Sequence, residues 1–178
     1  DEIEDLRRKV EKVVRDAEKV LRDLSRKSRK VHEDSRENVD RLLKEVEDVV
    51  KRVADLIRSN QDRDTVVKEA REVAKRIKEH LDRNLERVKK MMRDSDKELR
   101  DLLETIKRVV EEIKKRLEDK GGVEELKRTL EELLKRVEDL VRRHHEENKK
   151  LTDDNRRLHR RLRERLKEVL REVERRRD

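Results

Sequence analysis

The chain has 178 residues, of which 57% are charged, more than twice the roughly 25% of an ordinary soluble domain. Phe, Tyr, Trp, Pro and Cys are absent and Gly occurs twice, which excludes disulfides and thiolate metal sites and argues against a β-sandwich or a catalytic α/β domain. The 55 basic and 47 acidic residues nearly cancel to a net +8, and the 30% apolar fraction is strictly periodic; together these features fit a folded all-α protein better than a disordered polyelectrolyte.

The first segment carries its apolar residues at an interval of eighteen. Ile3, Leu21, Val39 and Ile57 share one angular position, Leu6, Leu24 and Leu42 a second, and Val13, Val31 and Val49 a third. A helix turns 100° per residue, so eighteen residues complete five turns and return to the same face. A heptad repeat would impose left-handed supercoiling, whereas this repeat fits a straight helix. The segment predicts a helix over 2–59, closed at Arg58-Ser59-Asn60-Gln61-Asp62-Arg63-Asp64, with Asn60 as a left-handed C′ residue and Asp62 or Asp64 as the next N-cap.

The second helix is predicted over 62–119, with Val66, Val67, Ala70, Val73, Ala74, Ile77 and Leu81 on one face, and with Met91 and Met92 as gap-filling core. Asp119-Lys120-Gly121-Gly122 ends it, Gly121 serving as the terminating residue. The third helix, 123–177, buries Val123, Leu126, Leu130, Leu133, Leu134, Val137, Leu140 and Val141, with Glu124 and Glu125 complementing its N-terminal dipole. Three stripes of about 120° each suit three helices sharing one axis. The short connections make them run up, down, up. The expected architecture is a single all-α domain over 1–178: a straight three-helix bundle with helices of about 56 residues, roughly 85 Å long, monomeric and requiring no partner.

Polar residues interrupt the core stripe in the middle repeat of every helix. In the first, Ser28, His32, Ser35 and Asn38 replace Val10, Val14, Ala17 and Val20 one repeat later. The second has Asn84 between Val66 and Leu102, and Ser95 between Ile77 and Ile113. The third has His144, Asn148, Thr152 and Asn155 between apolar residues eighteen positions away on either side. Folding the helices back on their loops places Ser28 level with Ser95 and Asn148. Asn38 falls level with Asn84 and His159, and Ser35 and Asn155 lie beside Val88. An isolated buried amide or hydroxyl costs roughly 1–3 kcal/mol, so these groups need one another. A connected network also penalises a helix that slides by one repeat, which the apolar stripe alone would tolerate.

With these features the chain resembles computationally designed parametric helical bundles carrying buried hydrogen-bond networks. The resemblance spans all 178 residues: the untwisted repeat, the matched helix lengths, the Gly-Gly connection, the Lys/Arg/Glu/Asp surface, and acidic Asp1-Glu2-Ile3-Glu4-Asp5 against basic Arg175-Arg176-Arg177. It implies a scaffold without enzymatic activity, without cofactor and without a natural localisation, soluble in the cytoplasm on recombinant expression. The lack of an initial Met is what a form trimmed from a tagged precursor would show.

No catalytic or metal site is expected. His144 and His145 point about 100° apart on their helix and cannot chelate one ion together; His32 and His159 sit at stripe margins, and His80 and His145 at stripe edges. Ser28, Ser35 and His32 share one helix, but continuous helices leave few backbone donors for an oxyanion. Two other readings remain: a self-associating or pH-responsive assembly module, and a nonspecific polyanion binder. Arg156-Arg157, Arg160-Arg161, Arg163 and Arg175-Arg176-Arg177 concentrate charge, yet no aromatic platform exists for bases and acids are interleaved, so no specific nucleic acid is expected. No apolar run approaches the roughly 18 residues that cross a bilayer, and no aromatic anchors suit a membrane surface.

Overall fold

The computed structural model describes residues 2–60, 62–118, 120–121 and 123–175. Three helices account for nearly all of them: α1 (Glu2–Arg58), α2 (Arg63–Leu117) and α3 (Glu124–Arg175), of 57, 55 and 52 residues. The fold is a three-helix bundle. The good helix formers Lys, Arg, Glu and Leu fill exposed and core faces alike, and neither proline nor glycine interrupts a helix.

The ends of α1 and α2 at their connection and the start of α3 differ from expectation by one residue, for local reasons. Asn60 takes a left-handed φ of 57° and closes α1 after Arg58, as an αL residue past a helix end does. Asp62 rather than Asp64 caps α2: its carboxylate accepts from the Asp64 amide at 3.3 Å and from Thr65 Oγ1 at 3.4 Å. α2 stops at Leu117, where Glu118 and Lys120 make the last turn-type bonds to Lys114 and Leu117. Gly121 is therefore not the residue that terminates α2. It lies exposed four positions on, its φ is not left-handed, and a Cβ there would meet nothing. Asp119 and Gly122 lie outside the described residues, as do Gln61 and the basic pair Arg176-Arg177.

The contacts group into two compact units, the first of residues 1–29 and 91–150, the second of 30–90 and 151–178. The first has an apolar core in which Leu6, Val10 and Ala17 of α1 meet Ile106, Val110 and Ile113 of α2 and Leu126, Leu130 and Val137 of α3. Here α2 and α3 run antiparallel, Lys107 pairing with Glu138 at 4.0 Å and Lys114 with Glu131 at 3.5 Å. The second has its own core, with Val39, Leu42 and Val46 of α1, Ala74, Ile77 and Leu81 of α2, and Leu162, Leu166 and Val169 of α3. Arg52–Glu69 at 2.7 Å and Arg71–Glu174 at 2.5 Å show its antiparallel pairs, and Arg165–Glu47 its parallel pair. Met91 and Met92 are half-buried. Ile57, expected in the stripe, is 37% exposed in the last turn of α1, and Leu43 is 41% exposed.

Candidate functional site

Each unit contains one buried polar cluster to which all three helices contribute. In the first unit, Ser28 of α1 donates its hydroxyl to Asn148 Oδ1 of α3, and Asn148 Nδ2 donates to Ser95 Oγ of α2 at 3.1 Å. All three side chains are buried. One asparagine thus uses its carbonyl toward one helix and its amide toward another.

In the second unit, Ser35 Oγ donates to Asn155 Oδ1 at 2.7 Å, while Asn155 Nδ2 faces His32 Nδ1 at 2.6 Å. Asn84 is the hub. Its Nδ2 reaches Ser35 Oγ at 2.9 Å, the Ser35 carbonyl at 3.1 Å and His159 Nε2 at 3.1 Å, and its Oδ1 accepts from Asn38 Nδ2 at 3.0 Å. His159 Nδ1 lies 2.6 Å from the Asn155 carbonyl oxygen, an acceptor only, so Nδ1 carries the proton and Nε2 is free to accept from Asn84. The same logic places the His32 proton on Nε2, because Nδ1 faces an amide donor with the Asn155 side chain oriented this way. His32 Nε2 has no partner among the described residues, and neither does His144 Nε2.

Ser28, Ser95 and Asn148 come together, as do Asn38, Asn84 and His159, and Ser35 with Asn155. His32 joins through Asn155, and Thr152 and His144 are buried in the second and first units respectively. Three depths differ from expectation, His32 being buried rather than marginal. His159 is not marginal but 1% exposed, because its ring bridges a backbone carbonyl and the Asn84 amide. Asn38 is only half-buried, like Val20 and Leu56 in its own column, and its Oδ1 accepts from exposed Arg41. Arg41 was not singled out by sequence; the signal was its i+3 spacing from Asn38 on one helix face.

Burial holds the pKa of His32, His144 and His159 below the usual imidazole value. For His32 the nearby Asp154 opposes this weakly. For His144 it is opposed by Glu147 and Asp96 and reinforced by Arg29. For His159 the bond to Asn155 and the charge of Asp82 oppose it, with Arg163 reinforcing it. The rings are thus kept neutral by desolvation. His145 and His80 stay exposed, the first at 2.8 Å from Asp96 and the second at 3.2 Å from Arg83. Among the described residues no three His, Asp or Glu side chains gather as a metal site, and no helix is long and apolar enough to cross a membrane.

A solved structure described as a computationally designed three helix bundle is similar to this chain at a TM-score of 0.56 and 17% identity, over 97% of this chain and 90% of that one. No protein-family model and no curated protein matches the chain.

Proposed function

We propose that the chain is a designed structural scaffold, monomeric and without catalytic activity, in which the two buried polar clusters set helix register and specificity. The observation that carries this reading is that each cluster ties α1, α2 and α3 together through an asparagine that both donates and accepts. A pair of apolar side chains can slide by a turn and still be buried; an amide aligned with one hydroxyl cannot slide without losing its bond. The likeness to a designed bundle supports the designed origin, and the scarcity of large exposed apolar side chains, Leu43 and Ile57 apart, supports a monomer. Residues 1–178 then fold as one cooperative domain.

A polyanion surface on α3 is disfavoured because three of its clustered arginines, Arg156, Arg157 and Arg163, pair with Asp153, Asp154 and Asp82. A pH-responsive role is the second reading, favoured by the three buried neutral imidazoles. Sedimentation equilibrium tests the main proposal. The chain gives one monomeric mass, and a variant with Ser28, Asn38, Asn84, Ser95, Asn148 and Asn155 all replaced by Val or Leu gives mixed masses with equal or greater stability. A variant that stays a single monomer with an unchanged amide spectrum removes the specificity role.

A further inference from the structure

Beside the Asn38–Asn84 bond, α1 and α2 of the second unit border a groove of about 250 Å³. Its walls carry Arg41 from α1 and Arg83 and Arg87 from α2, with His80, and Glu45 is the only acid. Elsewhere in this unit four arginines bridge helices to a carboxylate: Arg52 to Glu69, Arg71 to Glu174, Arg163 to Asp82 and Arg165 to Glu47. Among the described residues the three groove arginines make no such pair and share one groove. Two of them have neutral side-chain partners, Arg41 donating to Asn38 Oδ1 and Arg83 lying 3.2 Å from His80 Nδ1. Each guanidinium has five N–H donors, so most of them remain available.

We propose that this groove is a binding site for a phosphate-class oxyanion, either the free ion or the terminal group of a small phosphate ester. Three guanidinium groups around one carboxylate leave an excess of positive charge that a multiply charged anion neutralises. The planar fork of arginine matches the oxygen spacing of phosphate in a way that a spherical chloride cannot use. The groove has no aromatic wall on which a base could stack, so recognition is confined to the phosphate itself. Asn38 makes the site readable, since its side chain touches both Arg41 and the buried Asn84.

The test is a series of proton–nitrogen NMR spectra at fixed pH and ionic strength, sodium chloride being replaced stepwise by sodium phosphate. Saturable shifts are expected at the side-chain amides of Asn38 and Asn84 and at the Nε–H of Arg41, Arg83 and Arg87. The exposed pair Arg83→Gln/Arg87→Gln weakens binding roughly tenfold or more, whereas Arg22→Gln/Arg26→Gln on another face changes it by less than about twofold. Glu45→Gln, which removes only the acid, tightens it. A parallel titration with phenyl phosphate separates the sources: saturation by both probes admits the ester-borne group, and saturation by phosphate alone assigns the free ion. Shifts that do not saturate, or equal affinity in the Arg83/Arg87 variant and the parent, overturn the site.

Discussion

His159 and Asn84 meet at 3.1 Å, imidazole Nε2 against amide Nδ2, and the contact requires an uncharged ring. Nδ1 is already committed as a donor to the Asn155 carbonyl. A second proton on Nε2 would set donor against donor and leave the Asn84 amide without one of its acceptors. Protonation of this ring is therefore coupled to the hub of the second unit's polar cluster.

Stability should fall in acid. His32, His144 and His159 have pKa values lowered by burial in the folded chain. The unfolded chain therefore binds more protons over the window between those values and about 6.5, and stability rises with pH there. The contribution is complete above about pH 6.5 and declines as pH falls through the folded values. A lower denaturant midpoint at about pH 4 than at neutrality is expected, with helicity retained because the two apolar cores do not titrate. Imidazole NMR titration checks the cause: these three rings titrate below about 6.5, and values at or above it contradict their being buried and neutral.

Asn84→Ala should be among the costliest polar substitutions. It removes the donor to His159 Nε2 and to Ser35, whose hydroxyl keeps its bond to Asn155, and the acceptor of the half-buried Asn38 amide, and with each buried group left unpaired costing about 1–3 kcal/mol, the total should be about 2–5 kcal/mol. Asn38→Ala, at a half-buried position already open to Arg41, should cost about 1 kcal/mol or less. Urea midpoints at unchanged slope measure both.

Packing should dominate away from the polar clusters. Leu81 is completely buried in the second core, and Leu81→Ala should cost about 2–5 kcal/mol. Leu43→Gln and Ile57→Gln, at exposed positions, should each stay within about 0.5 kcal/mol. The same urea series decides this, and equal losses at Leu81 and Leu43 would refute the burial pattern.

Much of this architecture was legible because burial follows the eighteen-residue columns. Val10, Ser28 and Val46 are all buried; Val20, Asn38 and Leu56 are all half-buried. The second column explains why Asn38 is not a core residue, but with apolar Val20 and Leu56 as its members the sequence alone read it as core. The depth of His159 was not legible from its column, since Val141 one repeat earlier is only half-buried. A large ring that bonds the preceding turn's carbonyl is drawn inward in a way angular position does not encode. The helix ends were legible at Asn60 and Asp62, where αL and capping preferences are strong. They were not at Gly121, where composition suggested a left-handed stop and the backbone uses an ordinary turn. The arginine groove depends on which neighbours lack carboxylates across two helices, which a single strand of sequence does not display.

The most direct test of register control is a pulsed dipolar distance between spin labels at Lys12→Cys on α1 and Glu132→Cys on α3, both exposed positions in a chain with no other cysteine. It is measured in the parent and in a variant whose buried Ser28, His32, Ser35, Asn84, Ser95, Asn148, Asn155 and His159 are replaced by Val or Leu. A slip of one repeat displaces a helix by about 27 Å, far outside the width of a single well-ordered distance. The parent should give one narrow distribution and the apolar variant additional, displaced populations. One narrow distribution at the same distance in both proteins would contradict the claim that the polar clusters hold the helices in register.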